Sequence, residues 1–316
     1  MGGVREERRV TERRETMQLI SRLKRTPFVL GAVILSSILA AQATEYGPEK
    51  GTLVIQGGGS AEGTGILETF INYAGGLNAK IIIVPTAGGN FTADGKIKVY
   101  DEETVLAPWK KLGLTNVHML HTADPKVADS IEFAKVLRDA KGVWFEGGRQ
   151  WNIVDSYAHT MTEKEFHKVL ERGGVIGGSS AGATIQGDYL VRGAIAGSEI
   201  VMTPEPEHEH GFAFLRKTAI DQHINTRNRW DDIIPVILKY PDLLGIGISE
   251  GTAIVVTGDH FEVIGKWKVA IHDNHRAYQP WEKPYYVLSP GDVYNMATRF
   301  IEKYGSGVLT PATIKP

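Results

Sequence analysis

Gly173-Gly174-Val175-Ile176-Gly177-Gly178-Ser179-Ser180-Ala181-Gly182-Ala183 is the stretch on which the reading of the chain turns. A short apolar run climbs into two glycines and a pair of serines, then into small residues able to open a helix. Only Ser180 fits a G-x-S-x-G frame, with Gly178 two residues before it and Gly182 two after. The frame has a mechanical reason: a nucleophile on a sharp strand-to-helix turn needs strained backbone angles and small neighbours where strand and helix crowd together. Such a turn presents the hydroxyl outward and sets the Ala181 N–H, at the positive end of the new helix, where an oxyanion would form. A plain glycine loop that cradles phosphate is the rival reading. The apolar strand before the turn and the small residues after it favour the nucleophile.

Working outward, residues 52–55 (T-L-V-I) followed by Gln56-Gly57-Gly58-Gly59-Ser60 read as a buried strand ending in a glycine loop. Ile66, Phe70, Ile71 and Ala74 then share one helical face, and residues 79–84 (A-K-I-I-I-V) form a second strand stopped by Pro85. A nucleotide-binding reading fails, because the G-x-G-x-x-G spacing is missing and no acidic residue for a ribose follows the second strand. Residues 90–98 read as a loop, 102–112 as a helix containing Pro108, and 117–120 as a third strand. Asp124 and Pro125 announce a helix through Ala140 whose Val127, Ile131, Ala134 and Leu137 face the core. A fourth strand, 143–145, ends in Glu146-Gly147-Gly148-Arg149-Gln150, and Thr162-Glu163-Lys164-Glu165 is a capping box for the next helix. Short apolar strands alternating with helices predict an α/β fold with a parallel sheet covered on both faces. Ligands of such sheets sit at the carboxyl ends of the strands, where the glycine loops and the Ser180 turn converge. After Gly187 a helix over 231–240 precedes strand-like runs at 245–248, 253–257, 261–264 and 285–288, with Gly258-Asp259 as a hairpin turn. These predict an antiparallel extension of the same domain.

The 316 residues are 42% hydrophobic and 23% charged, ordinary for a globular protein. Residues 1–16 show no apolar period and read as an upstream extension. From Met17, a basic start at Arg22, Lys24 and Arg25, an apolar run over 28–39 and the A-x-A exit Ala41-Gln42-Ala43 make a secretory signal peptide over 17–43. That run is too short to span a bilayer. The expectation is a secreted or periplasmic protein whose domain covers 44–316, cut after Ala43 and holding no stable place in a membrane. That part carries 27 Lys/Arg against 33 Asp/Glu, formal charge -6, which argues against nucleic acid as a partner. Cysteine is absent, so disulfides, thiolate metal sites and a cysteine nucleophile are excluded.

A serine needs a base, usually histidine, which a carboxylate orients. Of ten histidines, His223 stands out, because Asp221-Gln222-His223 ends an apolar run at a strand end where the sheet places chemistry. Glu199 lies between Ser180 and His223 in a loop of small residues, with Asp188 and Asp221 as rivals that the sequence does not separate. His208-Glu209-His210 suggests a metal, but without a third ligand it reads as a flexible acidic loop over the site.

These residues resemble the cyanophycinase and aspartyl dipeptidase (peptidase E) family of serine peptidases. The resemblance spans the chain from residue 44 onward, through Ile83-Val84-Pro85-Thr86-Ala87, Phe145 to Gln150, Gly178 to Ala183, Asp221-Gln222-His223 and Leu244 to Ile248. It implies a three-layer αβα fold like that of class I glutamine amidotransferases, with serine in place of their cysteine. It also implies Ser180 as nucleophile, His223 as base and Glu199 as the acid nearest the family's spacing, with Ala181 and Gly148 forming the oxyanion hole. Substrate-binding positions fall on Gln150, Asp221, Arg227 and Arg229. No metal or cofactor is implied, and a homodimer is admitted. One departure stands out: the family's Gly-Gly-x-Gln turn carries an acidic or amide residue where this chain has Arg149. A guanidinium there attracts carboxylates and repels cations, so aspartyl or isoaspartyl peptides are the expected substrates ahead of arginine-loaded cyanophycin. An α/β-hydrolase esterase is the rival enzyme, lacking here its H-G-G-G loop. A silent binder of acidic peptides is the rival from another class.

Overall fold

A computed structural model describes residues 43–307 and 314. The upstream extension and almost all of the signal segment lie outside the described residues. In chain order the elements are β1 (Thr52–Gln56), α1 (Ile66–Ala74), β2 (Ile81–Val84), α2 (Glu102–Lys111), β3 (Val117–Met119), α3 (Pro125–Ala128), α4 (Ile131–Ala134) and β4 (Gly142–Phe145). Then come α5 (Gln150–Tyr157), α6 (Met161–Glu171), β5 (Val175–Ser179), α7 (Ala181–Thr184), β6 (Thr218–Gln222), α8 (Ile234–Lys239), β7 (Leu244–Ile248) and β8 (Thr252–Thr257). The last are β9 (His260–Gly265), β10 (Val269–His272), β11 (Tyr286–Leu288), β12 (Val293–Asn295) and β13 (Phe300–Lys303).

A nine-stranded sheet runs β13-β12-β9-β8-β1-β5-β4-β2-β3. Its half from β1 to β3 is parallel, and β8 joins β1 antiparallel. The central strands are apolar along their length because both faces are covered. Alternation divides their side chains. Leu53, Ile55, Ile82, Val84, Val143, Phe145 and Ile176 enter one core with α5, α6 and α7. Val54, Ile81, Ile83, Trp144 and Val175 enter another with α1 and α2. Each fully buried Ile, Leu or Phe contributes about 1.5–3 kcal/mol of transfer free energy, so this two-sided burial is the main force placing the strand ends in one row.

A second sheet, β11-β10-β7-β6, was expected as part of a single antiparallel extension. Only the 253–257 and 261–264 runs extend the main sheet, as β8 and β9. The 245–248 and 285–288 runs pair elsewhere, and β6 pairs β7 in parallel. The cause is two-sided burial: Ile220, Ile246 and Ile271 join the first core, while Ala219 packs with α8 through Val236 and Ile237. The strand bearing Asp221 and Gln222 thus belongs to a different sheet from the strand that delivers Ser180.

Two helix predictions are corrected. The helix expected from Asp124 to Ala140 breaks into α3, α4 and a 3-10 turn, because Ser130 Oγ accepts from the Phe133 N–H at 3.2 Å and caps a new start. Val127 and Ile131, assigned to the core, are 42% and 58% exposed. The capping box lies two residues earlier than expected: Thr160 caps α6, Glu163 reaches back to the His159 N–H, and the buried Thr162 donates instead to Ala128 O.

The first described residues are tied to the far end of the chain. Asp259 accepts from the backbone N–H groups of Glu45 (3.1 Å) and Tyr46 (2.7 Å), and Arg299 Nη2 donates to the Tyr46 hydroxyl at 2.7 Å.

Candidate active site

Ser180 sits between β5 and α7 with φ 58° and ψ -112°, a conformation costly for any residue with a Cβ. The neighbours that the motif demanded are tight. A Cβ on Gly178 would lie 2.2 Å from Gly182 O, and one on Gly182 would lie 2.0 Å from Phe145 O. Ser180 Oγ lies 2.8 Å from His223 Nε2, and His223 Nδ1 lies 2.6 Å from Glu250 Oε1. Since a carboxylate only accepts, Nδ1 carries the proton, leaving Nε2 to accept from the serine hydroxyl.

The carboxylate at the imidazole is therefore Glu250, in the turn after β7, and not Glu199. Glu199 is exposed in a turn beside Gly197, whereas β7 runs parallel beside β6, so the residues just beyond both strands emerge together. Glu250 also accepts from Thr226 Oγ1 at 2.8 Å. Burial opposes its charge, but hydrogen bonds from Thr226 and His223 outweigh this and hold the carboxyl below its ordinary value. His223 moves down as well, chiefly through burial. Glu250 opposes that shift and the charges of Arg227 and Arg229 add to it.

The glycine loop after β1 holds these groups in register across the two sheets. Gln56 O accepts from the Ser180 N–H at 3.1 Å and Gly57 O from the His223 N–H at 2.8 Å. A Cβ on Gly58 would fall 2.2 Å from His223 Cε1. The residues that suggested a nucleotide loop serve as a splint for the serine and the imidazole.

Gly147 borders the elbow, with its Cβ position 3.8 Å from Ser180 Oγ. Gly148 lies on the Ala87 carbonyl, where a Cβ would approach within 2.0 Å, and Ala181 is the first residue of α7. The Gly147-Gly148 turn and the first amides of α7 thus flank the hydroxyl.

Of the expected substrate-binding residues, Asp221 is corrected. It is fully buried and gives both oxygens to Arg192, from Nε at 2.8 Å and Nη2 at 2.9 Å. Gln150 is also corrected: it is buried and donates to Val191 O at 2.7 Å, so it ties the start of α5 to the segment before Arg192. The remaining Arg192 donors reach Ser198 O and Asp232 Oδ2, each at 2.7 Å. Arg149 Nη2 donates to Ala194 O at 2.7 Å, while its Nε and the Nη1 of Arg229 are buried with no hydrogen-bond partner among the described residues. Arg227 is exposed, its N–H donating to the His223 carbonyl. The loop over 192–201 is thus fastened by arginines, with unengaged guanidinium N–H groups on both sides of it.

The acidic segment is also corrected. His208 is 2% exposed, in a 3-10 turn, with Nε2 2.7 Å from Asp155 Oδ1. It is docked onto α5 instead of hanging freely. Among the described residues no group of three or more His, Asp or Glu side chains is arranged to hold a metal, and no helix is long and apolar enough to cross a membrane.

Glu250 and Arg192 were missed by reading the sequence. Glu250 had a signal: it follows the apolar strand L-G-I-G-I, at the same kind of strand end that singled out His223. Arg192 had a weaker one, as the lone charge in the run Tyr189-Leu190-Val191-Arg192.

A serine on an elbow at the carboxyl ends of parallel strands, hydrogen-bonded to an imidazole that a carboxylate holds, is the arrangement of a serine-type hydrolase. The chain belongs to peptidase family S51, whose model matches residues 53–264, and it is a serine-type peptidase. It is similar to the cyanophycinase of Synechococcus elongatus, 29% identical over 276 residues, covering 82% of this chain and 83% of that one. It is also similar to the cyanophycinase of Geminocystis herdmanii (strain PCC 6308), 27% identical over 252 residues, covering 75% and 89%. In fold it resembles the crystal structure of a peptidase from an acI-B1 Actinobacterium, with TM-score 0.58, 23% identity, and coverage of 79% of this chain and 98% of that one.

Proposed function

We propose that this protein is an exported serine peptidase that cleaves aspartyl or isoaspartyl peptide bonds through Ser180, His223 and Glu250. The observation that carries the proposal is the pair of contacts at 2.8 and 2.6 Å that joins the three side chains. Ser180 Oγ attacks the carbonyl carbon as its proton passes to His223 Nε2. Glu250 stabilises the imidazolium, and the N–H groups of Ala181 and Gly148 receive the oxyanion. His223 then gives its proton to the leaving amine, and water attacks the acyl-enzyme by the reverse route.

The substrate class follows from charge. The charges of Arg227 and Arg229 act on His223, Arg149 follows the Gly147-Gly148 turn, and the buried Asp221 is neutralised by Arg192. A carboxylate next to the scissile bond answers that field, whereas an arginine side chain is repelled by it. The relatives are cyanophycinases, and Arg149 argues for small acidic peptides ahead of cyanophycin in this chain. Export rests on the leader pattern over 17–43.

The test sets the wild-type protein and Ser180→Ala against α- and β-aspartyl dipeptides and cyanophycin. Cleavage of the dipeptides by wild type alone is expected. Undiminished turnover by Ser180→Ala would remove the nucleophile, and a preference for cyanophycin would remove the substrate assignment. A chain beginning at Met17 and expressed in a bacterium should be recovered outside the cytoplasm with Thr44 as its first residue.

A further inference from the structure

Residues 90–98 leave the main sheet just after β2 and form a small hairpin that the mechanism does not use. Phe91 and Ile97 face each other in an antiparallel bridge. Thr92 N–H donates to Lys96 O at 2.8 Å and Lys98 N–H to Asn90 O at 2.9 Å. Directly opposed residues of an antiparallel pair project to the same side, and so does the residue two further along a strand. Phe91 and Ile97 therefore project to one side, and with Val99 just beyond Lys98 they leave three apolar side chains 54%, 61% and 87% exposed.

The hairpin is fastened at its base, and its apolar residues lie between that base and a polar turn over 92–96. Asn90, 1% exposed, donates through Nδ2 to Asn152 O at 3.0 Å and accepts from Ser156 Oγ at 3.2 Å, both on α5. Lys98 Nζ and the Tyr100 hydroxyl close the other leg onto the carbonyls of Gly88 and Gly89. That root packs on the turn beside the serine: Gly148 rests on the Ala87 carbonyl, which accepts from the Arg149 N–H at 2.7 Å, and Gly147 borders Ser180. The hairpin thus begins within a few residues of the segment that holds the Gly147-Gly148 turn.

We infer that this hairpin is a binding surface for the peptide substrate, receiving an apolar side chain next to the aspartyl residue whose bond is cut at Ser180. The inference rests on the proposed peptidase reading. A second copy of the chain is disfavoured by size: three partly exposed side chains offer on the order of 300 Å², well short of the roughly 800 Å² per partner that a stable interface buries. One large apolar peptide side chain, burying on the order of 150–250 Å², is of that order, and the root packs on the Gly148 turn that leads to Ser180.

The experiment uses isoaspartyl peptides that differ only in Leu or Ser beside the aspartyl residue, assayed with wild type and with F91S/I97S/V99S. Dissociation constants for the same peptides are measured by calorimetry in the Ser180→Ala background with and without the three serines. Wild type is expected to favour Leu over Ser about tenfold in KM and in dissociation constant, about 1.4 kcal/mol. The triple variant should lose that preference while keeping kcat on the Ser peptide. A preference that survives the three serines, or that wild type never shows, overturns the inference. So does a fall in molar mass by light scattering on making the variant, which would assign the patch to contact between copies. Wild-type protein that ignores a fluorophosphonate probe would overturn the peptidase reading, while the calorimetric comparison would still judge the hairpin.

Discussion

Glu250 meets the imidazole of His223 at 2.6 Å across the gap between two neighbouring strand ends, and Thr226 supports the same oxygen from the loop that follows His223. The carboxylate is thereby fixed in direction, and with it the tautomer of the ring. Replacing it should leave the fold intact and misdirect the proton.

Glu250→Gln is expected to lower kcat by about a thousandfold or more, because an amide does not stabilise the imidazolium and favours the wrong tautomer. Glu199→Gln, which touches neither Ser180 nor His223, should stay within about twofold of wild type. Steady-state kinetics on an aspartyl dipeptide compares the two. Equal loss in both variants would return the acid to an open question.

The pH profile has a defined sign. Burial and the nearby arginines push His223 below its ordinary value near 6.5, despite Glu250. A base must be unprotonated, so the acid limb of kcat/KM should fall below pH 6.5. Arg227→Gln removes one of the charges that lowers the imidazole, and should move that limb upward. A limb at or above 6.5 in wild type would contradict the assignment.

Arg192 and Asp221 form an ion pair with no solvent contact to speak of, at 1% and 0% side-chain exposure. Removing one member leaves the other charged and buried, at about 3–5 kcal/mol. Arg192→Met should therefore lower the urea midpoint sharply, and Arg192→Met with Asp221→Leu should recover much of the loss. The same variants should raise KM, since Arg192 also holds the Ser198 carbonyl, to which Arg229 donates as well.

Ser180 stores strain at φ 58°. Ser180→Gly removes the Cβ that makes the conformation costly, whereas Ser180→Ala retains it. Both should be inactive, but the glycine variant should be more stable than the alanine variant by about 1–2 kcal/mol, read from thermal or urea unfolding. Equal stability would mean that the elbow carries no strain.

The parallel half of the main sheet, the face of α1, the span of α2 and the elbow were legible because their signals are local: buried runs, helical faces and glycines at close approach. The Asp124 cap is an example, its carboxylate accepting the Lys126 N–H at 2.9 Å. What was not legible depends on strand pairing between distant segments. That β6 and β7 leave the main sheet, and that the acid follows β7, cannot be read from spacing within 180–223. Asp221 shows the same limit from the other side: a carboxylate beside the histidine looks available until the tertiary structure supplies Arg192.

The bond between Tyr46 and Arg299 brings a residue near the start of the described chain against the turn before β13, and Asp259 also gathers the backbone of Glu45 and Tyr46 there. Order along the polymer is therefore separable from architecture. A circular permutant joined by a short linker near that corner, and opened at a surface turn away from the strand ends, is expected to keep the contacts among Ser180, His223 and Glu250, and its activity on an aspartyl dipeptide checks this.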